Sequence, residues 1–276
     1  MIDIRQQVEK NTPDIKSLSD SLFANSMPDQ PQTAICKIHG EFEFKYTEYT
    51  GSRILIMGTC QKCIHERNLF VEAEILRIEA EQKETRVTNK ILDCGVSKRN
   101  LSKTFDTYLV NTPEQDKAKR LYKEFSDSVC NGSPVKNKIV CGSVGTGKTH
   151  LASSVVNAIT RSGKTCELVK IIELIRQFKR TWAKDANHTE REFLDYYTNI
   201  SALIIDEVGV QFGSDTEKMV IFDIIDGRYN NMLPTILISN LALPEVKELI
   251  GDRAIDRLRE DGGQVVAMQW ESHRGK

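Results

Sequence analysis

The sequence predicts an α/β fold, a parallel sheet flanked by helices, preceded by a small cysteine-bearing module and a linker helix. Three observations carry this. The stretch Gly142-Ser143-Val144-Gly145-Thr146-Gly147-Lys148-Thr149 satisfies G-x-x-x-x-G-K-[ST] between an apolar run at 139–141 and a helix-patterned stretch at 150–160 (Leu151, Val155, Val156, Ile159). A second apolar run, 202–205, ends in the paired carboxylates Asp206 and Glu207. Upstream, Cys36-Lys-Ile-His39 and Cys60-Gln-Lys-Cys63 have metal-ligand spacing around a segment rich in β-formers.

Length and composition set the frame. A chain of 276 residues has room for roughly two domains, each with its own core. Its 39% hydrophobic and 28% charged residues are ordinary for a soluble protein. No stretch approaches the roughly eighteen apolar residues of a membrane span, and Asp3 and Arg5 interrupt any signal-peptide core, so a cytoplasmic protein without membrane contact is expected. The formal net charge of −1 excludes a protein that coats nucleic acid everywhere; any DNA contact must come from a local patch. Seven cysteines, an odd count with some at metal spacing, argue for a metal site rather than a disulfide framework.

The elements follow in order. Residues 1–32 read as a helical arm and Pro-containing linker, which either docks on a partner or packs on its own domain. Residues 33–65 read as a zinc-ribbon-like module. Its ligands are Cys36, His39, Cys60 and Cys63, with His65 a competitor for His39 and unmetallated core cysteines the other reading. Phe42, Phe44, Tyr46 and Tyr49 alternate as in strands, and Gly40 and Gly58 sit beside the two knuckles, where tight turns bring amides toward sulfur. So small a module has little core, and structural Zn²⁺ supplies the folding energy. Residues 66–93 read as a linker helix, with Leu69, Ala73, Leu76, Ala80 and Val87 on a seam that Lys83 and Lys90 break before it becomes a coiled coil. Residues 94–276 form the remaining domain. There Phe105, Tyr108 and Leu109 precede a helix at 113–129, and they either cover a nucleotide base or pack in the core.

The eight-residue loop with His150 behind it is a nucleotide cradle. Its glycines let backbone N–H groups close on a polyphosphate at the positive end of a helix, Lys148 reaches the terminal phosphates, and the Thr149 hydroxyl is placed to ligate Mg²⁺. Strand 165–171 leads into helices at 172–182 and 189–197. Residues 161–184 carry a local excess of five positive charges, with Phe178 and Trp182 on one helical face. Cations beside aromatics suit single-stranded DNA: Lys179, Arg180 and Trp182 are the candidates, with core packing the competing role for Phe178. Asp206 is read as a Mg²⁺ ligand through the water shell and Glu207 as the general base that polarises water. Strand 235–239 ends in Asn240, which either orients that water or caps the helix near Pro244.

With these motifs placed, the region from about residue 94 to 276 resembles the AAA+ ATPase domain of the DnaC family of bacterial and phage replicative helicase loaders, with the transposition helper IstB as a cousin. The resemblance rests on GSVGTGKTHLA, LIIDEVGVQ, ILISN, GDRAIDRLRE and the closing WESHR. It implies a five-stranded parallel sheet, ATP bound at subunit boundaries of a self-assembled oligomer, and single-stranded DNA on the helices between the second strand and the Asp-Glu strand. It also implies that Arg257 is an arginine finger acting on a neighbour's ATP and Arg274 a second sensor arginine. The stretch after the last strand leaves no room for the usual helical lid, so a truncated lid is expected. DnaI-type loaders carry an N-terminal zinc module used in helicase binding; by that analogy residues 1–92 grip a DnaB-type replicative helicase, and a phage-encoded loader fits. Two other readings stay open: an IstB-like ATPase on duplex DNA, and a zinc adaptor whose ATP site is only an assembly switch, against which Glu207 and Asn240 speak.

Overall fold

A computed structural model of the chain describes residues 32–45, 47–48, 55–56, 59–209 and 214–272. Residues 1–31 of the expected N-terminal arm, Tyr46, Tyr49, Gly58 and Arg274 lie outside the described residues, and Gln32 opens the first strand. The chain divides into two units, Met1–Lys83 and Glu84–Lys276.

In the first unit β1 (Gln32–Cys36) and β2 (Gly40–Phe44) form an antiparallel hairpin in which Cys36 pairs with Gly40. Gly40, at φ +77°, supplies the left-handed residue that closes the turn carrying His39. A second short pair joins β3 (Thr47–Glu48) to β4 (Leu55–Ile56). Helix α1 (Gln61–Asp93) begins earlier than the charge pattern predicts. The second Cys-x-x-Cys knuckle therefore lies on a helix start rather than on a second ribbon turn. The physical reason is local: Gln61, Lys62, Glu66 and Arg67 are good helix formers, and no Gly or Pro interrupts them.

The second unit opens on the end of α1, where Ile91 is buried and Arg161 grips Glu84 through two hydrogen bonds of 2.6 and 2.8 Å. Helix α2 (Pro113–Asn131) has the expected punctuation: Thr112 caps the Gln115 amide, Pro113 opens the helix, and Gly132 closes it in a left-handed conformation. Then follow β5 (Lys138–Gly142), α3 (Lys148–Arg161), β6 (Cys166–Lys170), α4 (Ile171–Arg180), α5 (Glu190–Asn199), β7 (Ala202–Val208), α6 (Asp215–Asn230), β8 (Thr235–Ser239), α7 (Leu243–Ile250), α8 (Asp252–Arg259) and β9 (Gln264–Met268).

The five strands β5 to β9 form one parallel sheet in the order β6-β7-β8-β5-β9. Strand alternation splits the core in two. Ile139, Leu203, Ile205 and Leu237 meet α4 to α8 on one face, while Val140, Ile204, Ile236 and Ile238 meet α2 and α3 on the other. All strands point the same way, so the loops after β5, β7 and β8 gather at the carboxyl edge, where ligands of open α/β sheets bind.

Candidate active site and metal centre

β5 ends at Gly142, and the chain turns through residues 143–147 before α3 begins at Lys148. Gly145 and Gly147 have φ of +85° and +93°, conformations that L side chains rarely adopt, and a Cβ on Gly147 would sit 2.7 Å from the Tyr108 ring. Lys148 Nζ donates to the carbonyls of Gly142 and Ser143, both at 2.7 Å. The Thr149 hydroxyl donates to Asp206 Oδ2 at 3.1 Å, tying the helix start to β7. The imidazole of His150, the residue expected behind the cradle, is held by residues that precede α2. Its Nε2 lies 3.1 Å from the Thr104 carbonyl and 3.3 Å from Thr107 Oγ1, and its ring is edge-on to Tyr108.

The paired carboxylates sit in a bulge. Between Ile205 and Val208 three steps along β7 oppose two along β8, from Leu237 to Ser239, and Glu207 takes φ +58°. A bulge of this kind re-aims side chains. Asp206 is buried, and its Oδ1 accepts the Glu207 amide at 2.7 Å. Burial pushes its carboxyl above the usual range, opposed by the Glu207 amide and the Thr149 hydroxyl. Glu207 instead turns to solvent and pairs with Lys170 Nζ at 2.8 Å. Lys170, at the end of β6, is a partner that motif spacing did not reveal. An oxygen-rich pair such as Thr149 and Asp206 has the hard-donor chemistry that Mg²⁺ requires.

Asn240 is exposed just past β8, between the ends of β5 and β7. It does not cap α7: Ala242 is the capping residue, and its amide is met by Glu245 at 2.8 Å. Arg257, on α8, donates through Nε to Asp226 at 2.8 Å and through a terminal nitrogen to Glu260 at 3.1 Å, and it lies over the Tyr229 ring. Tyr229 and Glu260 also line a cavity with Asn137, Lys164, Ser201 and Pro234. Those last residues precede strands, so this cavity is at the amino edge of the sheet, opposite the loop.

In the first unit Cys36, His39, Cys60 and Cys63 present their ligand atoms within 4.8 Å of one another. Nδ1 of His39 is 3.3, 3.7 and 3.8 Å from the sulfurs of Cys63, Cys60 and Cys36, and Cys36 and Cys63 are 3.5 Å apart. Tetrahedral zinc with thiolate and imidazole ligands requires edges of about 3.5–3.8 Å, so the donor set fits. His65 is not in this cluster. The N–H groups of His39 and Ile38 lower the Cys36 thiol to about 6. His39 Nε2 lies 3.0 Å from Glu66, a carboxylate one helical turn beyond Cys63 that fixes the ring. Nothing in the spacing singled out Glu66.

The DNA candidates are exposed but partnered, and α4 stops at Arg180, so Trp182 lies in the turn after it rather than on the expected helix 172–182. Lys179 pairs with Glu217 at 2.9 Å, and Arg180 and Arg176 both approach Glu173. Trp182 is 54% exposed; its indole hydrogen-bonds Glu190 and its ring packs edge-on against Phe178, which is buried in the core.

A phosphate loop after one strand, bulged carboxylates on another, and a polar residue just past the strand between them, in a five-stranded parallel sheet, define an AAA+ ATPase. The chain belongs to the family of IstB-like ATP binding proteins, whose profile matches residues 67–276, and with it to the DnaC-type loaders. It is 31% identical over 213 residues to the replicative helicase loader DnaC of Buchnera aphidicola subsp. Acyrthosiphon pisum (strain APS), covering 76% of this chain and 83% of that protein. The crystal structure of the DnaC helicase loader superposes with a TM-score of 0.52 at 25% identity, over 62% of this chain and 99% of the other. That of DnaI does so at 0.54 and 22%, over 65% and 94%, a likeness of fold.

Proposed function

We propose that the chain is an ATP-dependent loader of a hexameric DnaB-type replicative helicase onto single-stranded DNA at the initiation of replication. The observation that carries it is the Thr149–Asp206 hydrogen bond, which joins loop and carboxylate strand into one site, in a chain aligned with a helicase loader over most of its length.

The loop amides and the positive end of α3 receive the phosphates of ATP, and Lys148 exchanges its carbonyl partners for phosphate oxygens. Thr149 and Asp206 would hold Mg²⁺, which when bound neutralises charge on the phosphates. Glu207 acts as general base toward water, and Asn240, at the end of the strand between the loop and the carboxylates, orients that water. Arg257 stands by the opposite edge of its own sheet, so the phosphate it serves is a neighbour's, and the chain acts as a self-assembled oligomer. Cys36, His39, Cys60 and Cys63 would hold structural Zn²⁺, four protein ligands leaving no open position. The analogy with DnaI-type loaders assigns residues 1–92 to the helicase. Lys179, Arg180 and Trp182 are assigned to single-stranded DNA; the long, exposed Arg180–Glu173 contact is worth about 0–1 kcal/mol, so a DNA phosphate can displace it, and Lys179 would exchange the partly buried Glu217 for phosphate. Among the described residues no helix is long and apolar enough to cross a membrane, and we place the protein in the cytoplasm.

Size exclusion with the host's replicative helicase, with and without ATP, tests this. ATP-dependent co-elution supports the loader. The family description keeps an IstB-like reading in view; filaments on duplex DNA in ATP, with no helicase co-elution, would replace the loader by that alternative.

A further inference from the structure

Two donors from opposite ends of the ATPase unit meet on a single carbonyl of the loop. The Trp270 indole Nε1 donates to the Thr146 carbonyl at 3.0 Å, and the Tyr108 hydroxyl donates to the same oxygen at 3.3 Å. Tyr108 lies 38 residues before Thr146 and Trp270 lies 124 after it. Other loop carbonyls are taken as well: Gly142 and Ser143 by Lys148, and Ser143 also by the Thr146 hydroxyl at 2.9 Å.

The consequence is geometric. A trans peptide is planar, so its C=O and the following N–H point in opposite directions. Holding the Thr146 oxygen on the aromatic side aims the Gly147 N–H to the other side, into the concavity where a phosphate would lie over the helix start. We infer that Tyr108 and Trp270 are positioning residues for the polyphosphate of a nucleoside di- or triphosphate, acting through the Thr146–Gly147 peptide. The assignment rests on the nucleotide-site reading above. The chemistry suits the task. An indole N–H is a donor only, and burial pushes the Tyr108 hydroxyl up to about 12, so it keeps its proton. The Tyr108 ring also packs where a Gly147 Cβ would be, so hydroxyl and ring together fix the peptide.

The test uses the full chain, with ADP as the probe. Tyr108→Phe and Trp270→Phe keep an aromatic ring and remove the donor. Each is expected to weaken ADP binding by about threefold to tenfold, the factor given by one hydrogen bond's net contribution, and the double variant by more than tenfold. Thermal midpoints are expected to stay near that of the wild type. The readout that a packing role would not move is the Gly147 amide resonance in glycine-labelled protein: ADP shifts it in the wild type, and the shift shrinks in the double variant. A double variant with wild-type affinity and a wild-type Gly147 shift overturns the inference alone, as does an affinity loss that merely tracks a fall in thermal midpoint. A wild-type chain in which ADP leaves Gly147 unmoved overturns the nucleotide-site reading itself.

Discussion

Removing one sulfur from the cysteine–histidine cluster, by Cys60→Ser, is expected to unfold the N-terminal hairpin while the ATPase unit stays folded. The magnitude follows from how little else holds that unit. Its buried side chains, among the described residues, are Phe44, Cys60 and Cys63. Burying a Phe contributes about 1.5–3 kcal/mol. Ordering two five-residue strands costs on the order of 10 kcal/mol, and their ladder hydrogen bonds recover only part of it, since each is modest in net terms. Structural zinc contributes about 10–16 kcal/mol, which is the amount that decides the balance. Hydrogen exchange read by mass spectrometry over residues 32–44, beside zinc content and ADP affinity, checks this. Cys60→Ser or chelated wild type should lose protection in the hairpin and keep ADP binding. Full protection of that hairpin in metal-free protein would show that it folds without zinc.

Three further outcomes are expected. Burial raises the Asp206 pKa above its unfolded value, so stability falls as the pH rises from the unfolded to the native pKa, and the penalty is complete above the native pKa. Asp206→Asn should therefore raise the thermal midpoint at neutral pH by a few degrees, the gain vanishing in acid where the wild-type carboxyl is itself protonated, while Mg²⁺-dependent turnover is lost; a gain independent of pH would count against this. Arg257→Ala should cut turnover by about 10³-fold or more, and mixing it with the Lys148→Ala variant should restore part, since some interfaces then pair an intact loop with an intact arginine. Absence of any recovery in that steady-state assay would place Arg257 outside the neighbour's site. Arg228 is fully buried and donates to the carbonyls of Tyr197, Ile200 and Pro234 and to Thr235 Oγ1, with burial holding it down to about 9. Arg228→Met strands those acceptors and should cost roughly 3–5 kcal/mol in a denaturant titration.

What was legible in the sequence was what chemistry packs into a contiguous stretch. The loop from Gly142 to Thr149 and the Asp206–Glu207 pair each carry their own strand context, so the α/β class and the parallel sheet followed. The cysteine and histidine spacing likewise pointed to a cluster that the fold does assemble. The start of α1 was misread because Cys-x-x-Cys spacing looks the same on a ribbon turn and on a first helical turn. Contacts made by distant residues left no local trace: Lys170 on Glu207, Asp226 on Arg257, Glu66 on His39, and the two aromatics on Thr146. The basic face looked more cationic in sequence than in space, because Glu217 arrives from α6 to meet Lys179. Asn240 was ambiguous between cap and sensor, and the capping of α7 by Ala242 and Glu245 leaves it exposed between the two nucleotide motifs.

In the proposed mechanism a nucleotide held by this loop drives a replicative helicase onto single-stranded DNA. Its most direct test is retention of the helicase on closed circular single-stranded DNA, which an intact ring cannot enter unaided. Wild-type protein with ATP should load the helicase, and the Lys148→Ala variant should not. Equal loading by both, or loading without this protein or without ATP, would rule out nucleotide-driven loading.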